Sequence, residues 1–436
     1  MPRHQFEPLF EDLEGVVLVV PAISTLCPDW PLGINPHLES IQEEFFNWVN
    51  HWFKEERIRK KIAELNAPGF AAMNYPGAAR EQLLTMAKLI AWYFPWDDAI
   101  DDGSLYHMPE AIMRYRDETI ALVEQSLSWN HEPQEKPHPN PAIQSFWDLG
   151  VDIRARGTHA STNFGGTLEA NEQFRWAQCA FITSSVQGQV DRELTEPVLV
   201  EQYLTRREKN IAVFPLLSLI YYNYQLAIPQ EFSFKENKHM NLMWRLLARM
   251  GIISNDMLSL RREIMHGQFE SLIPLLMYHN NLQAQEAMAI AGDMLHECYI
   301  KFNEVEVELY KEIPVDFQTT MNRYVKACKD LIVCNLHWSY GLKRYIDEGM
   351  LQPDGRVVFP IRLPPKIADV KNRNSVVSAE RKTTMGHKES KRRTTLQKFT
   401  FGWSSVIRRA IVPIGLGIVA MFAKEAISML RRPSRC

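Results

Sequence analysis

Cysteine is scarce in this chain and never paired for metal or redox work. The 436 residues hold six, Cys27, Cys179, Cys298, Cys328, Cys334 and Cys436, and no Cys-x-x-Cys pair. That spacing argues against zinc ribbons, redox motifs and a dense disulfide framework, and it reads as free thiols in a reducing compartment. There is no glycine-rich phosphate loop of the Walker or dinucleotide type. There is also no series of alternating strands, and no repeat of about 20–50 residues. A basic leader is missing too. The first apolar run, Gly15 to Ile23, follows Glu7, Glu11, Asp12 and Glu14, the wrong charge for a secretory signal. Its β-branched residues point to an extended segment.

Long apolar runs are short of what a bilayer requires. Spanning one takes about 20 apolar residues. Ala410 to Ala423 offers 14 uncharged residues, with Pro413 among them and Arg408, Arg409 and Lys424 at its flanks. A membrane-associating tail is the expectation for this stretch. Charge divides at about the same place. Residues 371–436 carry 15 Lys and Arg against 3 Asp and Glu, whereas residues 1–370 carry 34 against 49. An acidic body is therefore joined to a basic tail. No nucleic-acid partner is expected, and the protein is read as cytoplasmic, with membrane association through the tail.

What is present is helical periodicity. From about His37 to Ile346, apolar residues recur at spacings of three and four with charges between them, as in "REQLLTMAKLIAWYF", "MNLMWRLLARMGIISNDMLSLRREI" and "FQTTMNRYVKACKDLIVCNLHWSYGLKRYI". The breaks are polar and proline-marked, as in "HEPQEKPHPNP". The expected organisation is an N-terminal extended segment (1–34), one all-α domain (35–350), a polar basic linker (351–398) and an apolar and basic tail (399–436).

Three groups of residues in the helical body can carry chemistry. In "FPWDDAIDDG", Asp97 and Asp101 are a helical turn apart and Asp98 lies beside them. Adjacent carboxylates suit a hard divalent cation such as Mg2+, which shares its sites with substrate phosphates. In "NDMLSLRRE", Asn255, Ser259 and Glu263 recur every four residues and form an oxygen-bearing stripe about 12 Å long. That stripe can hold a further divalent cation, and the apolar "RMGIIS" before it places it against the interior. The third group is cationic: Arg206, Arg207 and Lys209 in "YLTRREK", and Lys343 and Arg344 beside Tyr345 in "WSYGLKRY". Arginine suits bidentate contact with phosphate. Taken singly, each group also fits an ordinary solvated helix face. Together they suggest a diphosphate held by Mg2+ at the mouth of an apolar pocket.

The combination and order of these motifs resemble the class I terpene synthases, in particular microbial, fungal-type sesquiterpene synthases, over most of residues 35–350. "FPWDDAID" looks like their aspartate-rich motif, "NDMLSLRRE" like their Asn-Ser-Glu motif, and "NLHWSYGLKRY" like their terminal Arg–Tyr motif. The resemblance implies an α-helical bundle around an apolar cavity. It implies three Mg2+ ions held by Asp97, Asp98, Asp101, Asn255, Ser259 and Glu263, and a diphosphate met by Arg206 or Arg207, Arg262, Arg344 and Tyr345. Of the first pair Arg207 is favoured as the sensing residue. Phe94 and Trp338 are implied as cavity walls able to face a carbocation. The family's double-arginine stretch is followed by a glycine, which is absent from "RREKNIAVFP"; the helix break it marks is expected near Ile211 or Ala212. The implied reaction is cyclisation of farnesyl diphosphate to a sesquiterpene by a monomer or homodimer. Two other readings stand beside it. One is a chain-elongating prenyl diphosphate synthase, against which the lack of a second aspartate-rich motif counts. The other is a non-catalytic, membrane-attached diphosphate-binding protein.

Overall fold

The computed structural model describes residues 7–10, 13–101, 105, 108–128, 135–157, 166–191 and 197–364. The expected tail, and the linker beyond residue 364, lie outside these. In chain order the helices are α1 (Glu7–Phe10), α2 (Gln42–Trp52), α3 (Glu56–Glu64), α4 (Ala67–Asn74), α5 (Arg80–Asp101), α6 (Pro109–Ser126), α7 (Pro141–Gln144), α8 (Phe146–Gly157), α9 (Gly166–Asp191), α10 (Val200–Asn210), α11 (Val213–Ser218), α12 (Ile220–Tyr224), α13 (Lys238–Met265), α14 (Leu272–Asn280), α15 (Ala284–Glu312) and α16 (Val315–Gly341). Two strands, β1 (Val17–Val20) and β2 (Val357–Pro360), and three single-turn 3-10 helices, Ile23–Thr25, Glu39–Ile41 and Gln230–Phe232, complete the set among the described residues. None of these helices is long and apolar enough to cross a membrane. The five described cysteines are unbridged.

Local chemistry sets the helix starts. The Asn237 side chain accepts from the backbone N–H groups of His239 and Met240 and so caps α13. Asn66 sits in the left-handed region and caps α4 through Gly69 N. At the start of α15, Glu286 reaches back to the Gln283 N–H at 2.9 Å. The burial of each helix is then decided by its apolar face. On α5, Trp92 and Trp96 are fully buried and stack at 5.7 Å, with Tyr115 of α6 stacked on Trp96 at 5.5 Å. Their indole N–H groups donate to Ala142 O and Thr119 Oγ1, which satisfies the two polar atoms that burial would otherwise orphan. With that face committed, helical geometry turns Phe94, Asp97 and Asp98 to a different side of α5.

The central helix is α13, packed against α10, α11, α14, α15 and α16. Nearly every residue from Met243 to Leu260 is buried. The extended N-terminal segment expected from "GVVLVV" contains β1, which pairs antiparallel with β2 in the register Val17–Pro360 to Val20–Val357. The Gln285 amide of α15 brackets Val19, accepting from its N–H at 2.8 Å and donating to its carbonyl at 3.0 Å. β2 falls in the stretch expected to be polar linker, so the folded body runs on past Met350.

Candidate active site

The aspartate-bearing end of α5, the second half of α13, the end of α10 and the stretch after α16 meet around one guanidinium. Arg207, near the end of α10, donates to Asn210 Oδ1 at 3.1 Å and reaches Asn255 Oδ1 at 3.4 Å. Its Nη2 lies 3.8 Å from Asp256 Oδ1. Burial opposes the charge on Arg207, but Tyr203, Asp256, Glu263 and Asp97 outweigh it and hold the guanidinium above its ordinary pKa. Asp97 and Glu263, on separate helices, thus both act on the same cation. The structure separates the two arginines that the sequence left as alternatives. Arg206 turns to Glu270 at 2.6 Å, and Arg207 faces the oxygen stripe.

That stripe is assembled as its spacing implied. Asn255, Ser259 and Glu263 lie along α13, and Ser259 Oγ donates to Glu263 Oε1 at 2.7 Å. The other Glu263 oxygen, Oε2, is buried and without a hydrogen-bond partner. Burial and the nearby Asp256 carboxylate push the Glu263 carboxyl up to about 7, against the opposing pull of Ser259 and Arg207. Asn255 Nδ2 donates to the Tyr345 hydroxyl at 3.2 Å, which brings the Arg–Tyr stretch onto the stripe. Arg344 stacks over the Phe94 ring at 6.0 Å, and Phe94 lies 6.4 Å from Trp338. Trp338 is fixed by donation to Leu65 O at 2.8 Å and by the Phe70 ring at 4.3 Å. Arg262 precedes Glu263 on α13 and is half-buried.

At the aspartates, Asp98 accepts from Lys61 Nζ of α3 at 2.8 Å. Asp97 is half-buried, and its charge raises the pKa of the buried Tyr115 beyond what burial alone does. Asp101 closes α5 one turn after Asp97. Among the described residues no three carboxylate, imidazole or thiol groups converge as a preformed metal cluster. The donor set still fits Mg2+. Asn255, Ser259 and Glu263 offer hard oxygens, and Glu263 Oε2 is a buried acceptor with no protein donor. A separate polar cleft between α2, α5 and α8, about 210 Å3 in volume, is lined by Arg80, Lys88, Asp148 and Asp152; it lies on the side of α5 turned away from Asp97.

Residues 88–301 match the family model described as terpene synthase family 2, C-terminal metal binding. That stretch carries the family's metal-binding region, and the chain as a whole is similar to terpene synthases. It is similar to terpene cyclase braA of Annulohypoxylon truncatum, at 25% identity over 80% of this chain and 91% of that one. It is also similar to sesquiterpene cyclase hepA of Aspergillus oryzae, at 23% identity over 78% and 93%. Its fold is like that of α-eudesmol synthase, with a TM-score of 0.60 at 17% identity over 71% of this chain and 97% of that one. Germacradien-4-ol synthase from Streptomyces citricolor gives a TM-score of 0.58 at 17% identity, over 76% and 99%.

The break between α10 and α11 falls at Ala212, which adopts φ +62° and ψ +5°. The backbone takes the left-handed turn that a glycine would make freely, and alanine takes it at a cost of about 1–2 kcal/mol. Gly251 of α13 lets the break pack closely, since a Cβ there would come within 3.1 Å of Val213 Cγ2. Sequence reasoning missed two residues that organise the centre. Asp256 is fully buried, accepts from Tyr203 Oη at 2.7 Å and from Leu272 N at 2.9 Å, and is the nearest carboxylate to Arg207. Its signal was its place directly after Asn255. Lys61 carried no signal, because its pairing with Asp98 joins two helices remote in sequence.

Proposed function

We propose that the protein is a terpene synthase that ionises farnesyl diphosphate in the presence of Mg2+ and cyclises the resulting cation to a sesquiterpene hydrocarbon or alcohol, releasing diphosphate. The observation that carries this reading is the convergence on Arg207. One guanidinium stands between an aspartate-bearing helix and an Asn-Ser-Glu stripe, with Tyr345 hydrogen-bonded to that stripe. The similarity to fungal sesquiterpene cyclases supports a C15 substrate.

Asn255, Ser259 and Glu263 would hold one divalent cation, and Asp97, Asp98 and Asp101 would hold others. Bound there, Mg2+ supplies Lewis-acid charge to the leaving diphosphate. Arg207, Arg344 and Tyr345 bind the diphosphate oxygens and orient them. Lys61 holds Asp98 in place. Phe94 presents its ring to the guanidinium of Arg344 and Trp338 lies beside Phe94, so the cationic carbon skeleton leaves a polar rim and meets π-systems that attract positive charge. The buried apolar walls around them exclude the water that would quench it.

The test is turnover of the full chain on geranyl, farnesyl and geranylgeranyl diphosphates, each with and without isopentenyl diphosphate. Diphosphate release from farnesyl diphosphate alone, with a volatile C15 product, is expected. Longer prenyl diphosphates formed only with isopentenyl diphosphate would show a chain-elongating enzyme instead. Binding without turnover on every substrate would show a non-catalyst.

A further inference from the structure

The α10–α13 interface holds a second set of charges that touches neither metal residue nor carbon skeleton. Glu208 follows Arg207 in the chain and points about 100° away from it, into α13. Its carboxylate accepts from Arg245 Nε at 2.8 Å and from Arg249 Nε at 2.6 Å. Arg249 also donates to Glu201 through both terminal nitrogens, one of them at 3.2 Å. Glu208, Arg245 and Arg249 are buried.

Such a quartet is a poor device for stability alone. Desolvating each ion costs several kcal/mol, and apolar side chains of similar volume hold helices together as well or better. What charged forks add is direction, because guanidinium and carboxylate bond well in few mutual orientations. Arg245 and Arg249 are one turn apart on α13, and Glu201 and Glu208 are two turns apart on α10. Helix α10 therefore cannot rotate or slide without breaking several of these bonds together. On α13, Arg245, Arg249 and Asp256 lie within about 40° of one another around the axis. The stripe that grips Glu208 thus continues into the carboxylate that takes Tyr203 and faces Arg207.

We propose that Glu208, with Glu201, Arg245 and Arg249, is the positioning group for Arg207: it fixes the rotation of α10 so that the guanidinium stays in register with Asn255 and the diphosphate. This rests on reading Arg207 as a diphosphate contact.

The test replaces the neutral quartet by an apolar one in the full chain, Glu201→Leu, Glu208→Met, Arg245→Met and Arg249→Leu together. Helical circular dichroism and melting temperature check the fold. Calorimetric titration with inorganic pyrophosphate and Mg2+, and separate kcat and KM values, check the register. The expected result is a folded protein whose pyrophosphate affinity falls at least about tenfold and whose kcat falls about a hundredfold, as misplacement by about 1 Å produces. Glu208→Asp keeps the charge but shortens its reach, so it folds, and it should lose pyrophosphate affinity in the same direction. Wild-type affinity and kcat in both variants would overturn the inference. A wild-type protein that binds no pyrophosphate in Mg2+ would overturn the reading of Arg207, and the inference with it.

Discussion

Replacing Arg207 with alanine should destabilise the metal-free protein, and the loss should depend on pH in a definite direction. Arg207 Nη2 lies 3.8 Å from Asp256 Oδ1. At that distance, with an effective dielectric constant of about 20, the attraction is about 4 kcal/mol. Breaking a buried pair by deleting one partner costs about 3–5 kcal/mol. Asp256 keeps its bonds from Tyr203 and Leu272, so the lower end of that range applies, about 3 kcal/mol. Without Arg207, the folded-state pKa values of Asp256 and Glu263 rise further above those of the unfolded chain. A carboxyl raised in this way destabilises the fold only while ionised, and protonation removes the penalty. The deficit should therefore be largest at pH 8 and shrink towards pH 6. Equilibrium urea unfolding of wild type and Arg207→Ala, in EDTA at both values, measures it. A deficit under about 1 kcal/mol at pH 8, or one that does not change with pH, would refute the role of Arg207 as the counter-charge of this cluster.

Three other outcomes follow from the same geometry. Tyr345→Phe removes the acceptor of the 3.2 Å bond from Asn255; a hydrogen bond is worth about 1 kcal/mol net, so steady-state kinetics should show about a fivefold lower kcat/KM with unchanged circular dichroism. Ala212→Gly relieves a left-handed alanine worth about 1–2 kcal/mol and adds about 0.4–1 kcal/mol of unfolded-state entropy, so the melting temperature should rise slightly, and a fall would show that the turn is unstrained. Glu263 is pushed up to about 7, so below that pH a proton competes with the cation. Mg2+ affinity, followed by tryptophan fluorescence, should be about tenfold weaker at pH 6 than at pH 8, and should lose this dependence in Glu263→Gln.

The sequence made the helical body legible because "REQLLTMAKLIAWYF" and its like keep apolar residues on one face, and packing then rewarded that face. It did not reveal the interruption between α2 and α3, where "FKEE" holds no proline or glycine to mark a break while Phe53 turns extended. β1 was foreseeable from its β-branched run, but its partner was not, because pairing Val17 with Pro360 is a contact between the two ends of the body. In the site, a spacing of four put Asn255, Ser259 and Glu263 on one stripe, which any helix guarantees. Between Arg206 and Arg207 the resemblance favoured Arg207 but the residues themselves left both open, since neighbours on a helix diverge by about 100° and it is the position of Glu270 that shows Arg206 turning away. Asp256 escaped notice for the same reason: it adjoins Asn255 in sequence but bonds to Tyr203 of α10.

The most direct test of the central claim is gas chromatography–mass spectrometry of the full-length protein incubated with farnesyl diphosphate, in Mg2+ and in EDTA, alongside Asp97→Asn and Glu263→Gln. The site predicts a C15 hydrocarbon or alcohol that needs Mg2+ and disappears in both variants while their helical circular dichroism stays intact. A product that forms equally in EDTA, or persists in both folded variants, would contradict it.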